Sequence, residues 1–485
     1  MTDKVSIQCL PTHVPGLDQL LGGGIPEFSF NLIAGAPGSG KTSLAHQIMF
    51  GLANPQRRAL YFTVLGEPPL KMLRYQQQFE FFDVGKVNES IRFINLCEEA
   101  LTGDFDAVLA RIIAEVESYS PGLVFVDSFR SIGGAARRDP HGANLQWLVQ
   151  QLAMRMTSWQ ATTFLIGEYS PEESEVNPVF TVADGLLLLT QSVNRNSMIR
   201  KIQILKMRGQ AQIPGLHTFR ITHAGIQVFP RILLNGSTPS LPRNAARLAM
   251  GVPGLDEMLG GGLPCGYSLL IAGPAGSGKT VLATEFLAEG ARRGENGVIA
   301  AFEKSPRQSH TRTLDRLVEA GQLAMIDTRA LDLSIDETLY ELTAHIERLN
   351  AKRVVIDSLS GFELALAPTF REDFRESLYR MVTTLTGIGV TVLMTTELED
   401  RYTDLRFSPY GTAFLTDAII VQRYVEFESE IKRVMAVIKV RASAHSNELR
   451  LFDITESGIV LGEKLQQYGT ILSGRAENKV AEKAE

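Results

Sequence analysis

Cysteine is nearly missing from this chain: Cys9, Cys97 and Cys265 are the only three, and none stands in a Cys-x-x-Cys spacing. A disulfide framework and a thiolate zinc site are thereby excluded, and a reducing cytoplasm fits. Positive charge is not in excess either. Lys+Arg 48 against Asp+Glu 54 leaves a formal net charge of −6, so no global field draws the chain toward nucleic acid or an acidic membrane. No apolar run approaches the ~20 residues of a spanning helix, and Met1-Thr2-Asp3-Lys4-Val5 lacks a signal-type apolar core. The expectation is a soluble cytoplasmic protein without a membrane partner. At 44% hydrophobic and 21% charged, it has the make-up of an ordinary globular chain, long enough for about two to four domains with their own cores.

Glycine is plentiful, and two clusters of it are informative. Gly35-Ala36-Pro37-Gly38-Ser39-Gly40-Lys41-Thr42 and Gly273-Pro274-Ala275-Gly276-Ser277-Gly278-Lys279-Thr280 both spell Gly, four residues, Gly, Lys, Thr. In this pattern successive backbone N–H groups turn inward around a polyphosphate, along a path that needs the positive φ and close approach only glycine tolerates. Lys41 and Lys279 then reach the β- and γ-phosphates, while Thr42 and Thr280 offer a hydroxyl to Mg²⁺. Apolar runs at Phe28–Ala34 and Tyr267–Ala272 read as strands entering each loop. Ser43–Leu52 and Val281–Ala291 read as helices leaving it, whose N-termini favour an anion. ATP and Mg²⁺ are the expected ligands, at two sites.

The two loops belong to a duplication. Val14-Pro15-Gly16-Leu17-Asp18 and Gly22-Gly23-Gly24 return as Val252-Pro253-Gly254-Leu255-Asp256 and Gly260-Gly261-Gly262, at the offset of 238 that also relates Lys41 to Lys279. The offset slips to 230 from Asp127 to Asp357 and to 233 from Lys206 to Lys439. Landmarks that keep their order while spacings drift indicate one ancestral domain copied, its loops since edited. Pro230, Asn235-Gly236-Ser237, Pro239 and Pro242 break any periodic pattern. The predicted division is a first domain at 1–229, a linker at 230–247, a second domain at 248–461 and a polar, mobile tail at 462–485. Within each half, short apolar strands alternate with helical segments, which argues an α/β fold with a mostly parallel sheet flanked by helices.

A phosphate loop needs an acid at the end of a second strand to hold the magnesium shell. Leu123-Val124-Phe125-Val126-Asp127 and Arg353-Val354-Val355-Ile356-Asp357 each supply one; the competing reading of a strand-terminal aspartate followed by serine is a helix cap. Hydrolysis also needs a carboxylate to orient water. In the second half Glu303 emerges from the strand Val298–Phe302 in the expected place. In the first half Leu65 and Gly66 stand opposite Glu303 and Lys304, and the nearest carboxylate is Glu67, which substitutes only if the loop bulges. Each half then carries Lys-x-Arg near its end, Lys206 with Arg208 and Lys439 with Arg441. Residues two apart on a strand share a side, so each pair reads either as two cations reaching a neighbour's γ-phosphate or as solvated edge-strand charge.

The paired phosphate loops, both Gly-Leu-Asp approaches, Ile356-Asp357-Ser358-Leu359-Ser360, and Thr416-Asp417-Ala418-Ile419-Ile420 followed by Tyr424-Val425-Glu426 closely resemble the KaiC family, from about Val14 to Ala476. These are double-domain RecA-like ATPases of the circadian clock and its non-cyanobacterial relatives. The resemblance implies two tandem RecA-like P-loop NTPase domains and a homohexameric double ring with ATP at subunit interfaces. It also implies slow hydrolysis and serine/threonine autokinase activity in the second domain, with the Lys-x-Arg pairs acting across the interface. Ile471-Leu472-Ser473-Gly474 resembles the tail that recruits a regulatory protein in clock members. The sequence departs from the family at three places. Glu303 is followed by Lys304 where two acids are usual, Leu65 and Gly66 replace both acids in the first half, and Ala413 and Phe414 stand where the family's phosphorylated Ser-Thr pair lies. Thr412 and Thr416 are the nearby hydroxyls, readable as phosphoacceptors or as polar residues of a loop.

The leading expectation is therefore an ATP-hydrolysing ring with an autokinase-type second domain, switching partner contacts through its nucleotide state. Two others compete with it. A DNA-dependent ATPase of recombinase or helicase type could use the same core, though the acidic balance opposes it, and Arg57-Arg58, Arg137-Arg138 and Arg292-Arg293 are short basic clusters. A non-hydrolysing scaffold cemented by ATP is the third.

Overall fold

The computed structural model describes residues 7–64, 69–102, 105–130, 143–170, 173, 177–194, 197–231, 246–302, 312–327, 333–366, 371, 374–398, 415–427, 430–456, 458–464, 468–469 and 477–478. The chain divides into two units, Met1–Arg231 and Ile232–Glu485.

In the first unit the sheet strands are β1 (Phe30–Gly35), β2 (Ala59–Thr63), β3 (Ile91–Asn95), β4 (Leu123–Asp127), β5 (Thr162–Gly167), β6 (Gly185–Asn194), β7 (Ser197–Met207), β8 (His217–Thr222) and β9 (Gly225–Phe229). Their spatial order is β3-β2-β4-β5-β1-β6-β7-β8-β9. The six from β3 to β6 run parallel, and β7, β8 and β9 extend the sheet antiparallel. In the second unit β10 (Ser268–Gly273), β11 (Gly297–Ala301), β12 (Leu323–Asp327), β13 (Arg353–Asp357), β14 (Thr391–Glu397), β15 (Ala418–Phe427), β16 (Glu430–Val440), β17 (Leu449–Thr455) and β18 (Gly458–Lys464) take the order β12-β11-β13-β14-β10-β15-β16-β17-β18. Adding nine to each first-unit label reproduces the second sheet, so the duplication visible in sequence is a duplication of topology.

Burial explains the strand composition. Parallel strands covered on both faces read as unbroken apolar runs, and all six residues of β1 and all five of β4 are buried. Alternate residues feed two cores. Leu32, Val124 and Val126 pack on one face with Ile112 of α2 (Phe105–Tyr119) and Leu152 of α3 (Ala143–Ser158). Ile33 and Phe125 pack on the other face with Leu44 and Ile48 of α1 (Lys41–Leu52). The second unit repeats this, with α4 (Lys279–Arg292) on one face and α5 (Ile335–Leu349) and α6 (Phe374–Gly387) on the other.

Element ends differ from the sequence reading by one to three residues. β1 begins at Phe30 because Phe28 takes a left-handed φ of 63°, which turns the chain off the strand line. Both helices start at the loop lysine itself. β18 continues to Lys464, and Arg247 at the close of the predicted linker already pairs with Pro264 and donates to the Leu259 and Gly262 carbonyls. No helix among the described residues is long and apolar enough to cross a membrane.

One core position sets the units apart. β13 opens on Arg353, fully buried, where β4 opens on Leu123. Its guanidinium donates to the Ala249 and Phe286 carbonyls at 2.7 Å each and to Glu295 at 2.8 Å, and lies 4.5 Å from the Phe286 ring centre. Removing one partner of such a pair strands the other charge, whereas replacing both is far better tolerated. Glu295→Ala should therefore destabilise the second unit by about 3 kcal/mol in chemical denaturation, and Arg353→Leu combined with Glu295→Ala should recover most of that loss.

Candidate functional site

Each phosphate loop joins the central strand of its sheet to a helix. Gly38 and Gly40 adopt φ of 73° and 102°, and Gly276 and Gly278 adopt 74° and 99°, left-handed values that L side chains rarely take. These turns bring the loop onto the first turns of α1 and α4, whose N–H groups have no helical carbonyl to donate to. A side chain braces each loop from the neighbouring strand. Gln191 of β6 donates to the Pro37 carbonyl at 3.1 Å, and the Tyr424 hydroxyl of β15 donates to the Ala275 carbonyl at 3.3 Å.

The lysines lie inside the loops. Lys41 Nζ donates to the Ala36 carbonyl at 2.8 Å, and Lys279 Nζ to the Gly273 and Pro274 carbonyls at 2.9 and 2.7 Å. Burial lowers the pKa of Lys41, opposed by the negative charges of Glu168 and Asp127. Among the described residues the Ser39 hydroxyl, buried in the first loop, has no hydrogen-bond partner, whereas Ser277 donates to Gln422 Oε1 at 3.1 Å. A cationic loop with inward lysine and helix-end N–H groups, joined in the first unit by the Ser39 hydroxyl, is the donor set a polyphosphate needs, so these residues fit a nucleotide.

The strand-terminal aspartates stand beside the loops. Asp127 Oδ2 accepts from Thr42 Oγ1 at 2.8 Å and from the Tyr61 hydroxyl at 2.7 Å. Burial pushes the Asp127 carboxyl above its ordinary range, against the opposing pull of those two hydroxyls and Lys41. Asp357 Oδ1 accepts from the Thr395 hydroxyl. Thr280 follows Lys279 in the first turn of α4. The threonine hydroxyls and these carboxylates are hard oxygen donors suited to Mg²⁺, and the peptide bond after each aspartate is cis.

The Lys-x-Arg pairs lie at the other end of the sheet. Gly185 stands between Asn31 and Met207, and Gly35 pairs with Leu189. Lys206 and Arg208 therefore flank the start of β1 while the loop leaves its end. Lys206 Nζ donates to the Ala183 and Thr181 carbonyls at 2.6 and 3.3 Å, and Arg208 pairs with Asp184 at 2.9 Å. Lys439 Nζ donates to the Thr416 carbonyl at 2.6 Å, and Arg441 pairs with Asp417 at 3.3 Å. Burial, then the adjacent arginine, lowers the pKa of both lysines. Arg208 and Arg441 each fall one residue past a strand end, and a bulge precedes each pair. Arg208 and Asp184 line a groove of about 590 Å³ together with Phe30, Met154 and Val182.

Glu303, Glu67 and Thr412 lie outside the described residues. Thr416 is described and buried at 1% exposure. Several residues of the site escaped the sequence reading: Tyr61, Thr395, Gln191, His46 and Glu168; Tyr424 entered it only within the run Tyr424-Val425-Glu426, with no role assigned. Glu168, exposed, follows β5 directly beside Gly35, and Glu397 ends β14 opposite Gly273. A short strand-like run closing on glutamate in both halves, at 164–168 and 392–397, was the available signal. His46 on α1 lies with its ring 4.6 Å from that of Tyr61, and burial holds its imidazole down at about 4.

Comparison with known proteins agrees with this geometry. A family model described as the KaiC ATPase matches residues 10–232 and again 248–466. Among curated proteins, the circadian clock oscillator protein KaiC of Picosynechococcus is 28% identical over 96% of this chain and 92% of its own length. That of Rippkaea orientalis is 28% identical over 96% and 91%, and KaiC 1 of Synechocystis 27% over 97% and 92%.

The buried imidazole makes a pH prediction. His46 has a folded pKa of about 4 against about 6.5 unfolded, so the unfolded chain binds more protons between those values. The His46 contribution is complete above pH 6.5 and is lost as pH falls toward 4, about 2 kcal/mol between pH 7 and 5. Both tryptophans, Trp147 and Trp159, belong to the first unit, so their fluorescence in urea reports it within the whole chain. His46→Thr, which installs the residue type of Thr284, should flatten the loss of its midpoint between pH 7 and 5.

Proposed function

The chain belongs to the KaiC ATPase family, and on that premise we propose that it is a ring-forming ATPase in which each unit binds MgATP against a neighbouring copy. The observation that carries this reading is the separation of the phosphate loop and the Lys-x-Arg pair to opposite ends of one sheet, repeated in both units. A single unit cannot bring both to the same phosphate. Two copies set side by side can, with the loop from one and the cations from the next, and the family likeness supports a homohexamer.

The roles follow from the donors. Loop N–H groups and Lys41 or Lys279 bind the β- and γ-phosphates. Thr42 with Asp127, and Thr280 with Asp357, would hold Mg²⁺, which when bound neutralises charge on the phosphate oxygens. Lys206 and Arg208, or Lys439 and Arg441, would stabilise charge developing on the γ-phosphoryl group of the adjacent copy. Glu303 orients the attacking water in the second unit. The first unit has Leu65 and Gly66 at the matching positions and only Glu67 nearby, so its ATP is held mainly to build the ring.

Hydrolysis drives a change of partner contacts, and the segment 462–485 is the proposed docking place for a regulatory protein. Autokinase activity has less behind it, because Ala413 and Phe414 carry no hydroxyl and Thr416 is buried. A DNA-directed role is disfavoured by the net charge of −6.

Trans-complementation tests the reading. Lys279→Ala should abolish ATP binding at the second unit, and Arg441→Ala should lower phosphate release about 1,000-fold while ATP still binds. Mixing the two inactive chains before ring assembly should restore release, because some interfaces then combine an intact loop with an intact arginine. Glu303→Gln should cut release at least ~100-fold. A mixture as inactive as its components, or a chain that stays monomeric with ATP, rejects the shared site.

A further inference from the structure

A carboxylate buried at the end of an interior strand needs a donor to fix its direction, and the two units supply that donor from opposite sides. In the first unit the donor is Tyr61 on β2, whose hydroxyl reaches Asp127 Oδ2 at 2.7 Å. The strand on the other side, β5, presents Ile166 beside Asp127. In the second unit the donor is Thr395 on β14, the counterpart of β5. There the counterpart of Tyr61 is Ile299, since Tyr61 pairs with Phe125 and Ile299 with Val355. Between the units, therefore, the strand-borne hydroxyl bonded to the aspartate and an isoleucine have changed sides, while Asp127 also accepts from Thr42 of the phosphate-loop helix.

The exchange is built into the packing. Tyr61 is fully buried, its ring held by His46 at 4.6 Å, Phe93 at 5.4 Å and Phe125 at 5.9 Å. The second unit has Thr284, Met325 and Val355 at those positions. An aromatic cage is needed only where the donor must reach from a long, rigid side chain. A threonine one strand away needs none.

We propose that Tyr61 is a positioning residue of the first nucleotide site, fixing Asp127 for a magnesium-bound water as Thr395 fixes Asp357 in the second. Both hydroxyls that Asp127 accepts, from Thr42 and Tyr61, fall on Oδ2, which leaves Oδ1 to face the metal shell. Without Tyr61 one of two donors is lost, the carboxylate turns, and the metal is held less well although the phosphate loop is untouched. This inference rests on the nucleotide reading above.

The test uses the full-length chain with Lys279→Ala, so that only the first unit binds ATP. Two quantities are measured: ATP affinity in EDTA, and the Mg²⁺ concentration that half-saturates the magnesium-dependent gain in ATP binding. Tyr61→Phe should raise the Mg²⁺ midpoint at least ~10-fold, the usual cost of losing a group that orients a metal ligand, with affinity in EDTA unchanged. A merely structural role would lower the affinity in EDTA as well as raise the midpoint. Adding Ile166→Thr to Tyr61→Phe, which rebuilds the second unit's tether in the first, should bring the midpoint back to within about threefold. Tyr61→Phe with an unaltered midpoint overturns the proposal, as does a folded double variant, judged by tryptophan fluorescence, that recovers nothing. If the Lys279→Ala chain with Tyr61 intact binds no ATP at all, the nucleotide reading itself has failed, independently of the tether.

Discussion

The length of one β-strand governs this molecule. Arg208 bonds through its backbone to Asp184, and Asp184 to Phe30, so the arginine is level with the first residue of β1. The phosphate loop leaves after Gly35, five residues on, which at about 3.3 Å per residue is roughly 17 Å away. No rotamer of arginine spans that distance along a packed sheet. The second unit repeats the arrangement, with Arg441 bonded to Asp417 and Asp417 to Ser268. Each unit therefore carries two half-sites facing different ways. On the proposed reading, assembly is a geometric requirement of the chemistry, not an addition to it.

Given that constraint, the differences between the units become informative. Both keep the loop glycines, the inward lysine, the brace from the sixth strand of the sheet and the terminal aspartate. They differ in what surrounds these parts. Phe93 and Phe125 line the first aspartate's strand pair where the second has Met325 and Val355, and a buried arginine supports the second sheet where leucine supports the first. Groups that touch phosphate are held constant by its chemistry, whereas groups that merely fill volume are free to exchange for others of suitable size.

Much of this could be read from the sequence, for physical reasons that also explain what could not. The loops announced themselves because positive φ at Gly38 and Gly40 demands glycine, which leaves a mark in one dimension. The duplication was legible because the offset of 238 held across two separate landmarks. Asp127 and Asp357 were legible because an apolar run ending in an acid is local. Their tethers were not: Tyr61 lies 66 residues before Asp127 and Thr395 lies 38 after Asp357. An isolated tyrosine or threonine inside an apolar run reads as an ordinary strand residue. The antiparallel extension of each sheet was likewise hidden, since periodicity fixes which residues share a face but not which way a neighbouring strand runs.

The hidden part is the more telling. The two copies of the fold have diverged in sequence, yet each keeps a hydroxyl from a neighbouring strand against its buried aspartate, supplied from opposite sides. Chance loss on one side would leave an acceptor short of a donor in low dielectric, a cost of about 1–3 kcal/mol, and would let the carboxylate rotate. Stability alone could be met by any donor at any angle. The retained feature is narrower: a short bond to one carboxylate oxygen, made by a side chain whose own freedom is removed by packing. Such restraint of a ligand's direction is what a metal shell requires, and it ties the interior of each sheet to the loop that grips the phosphates.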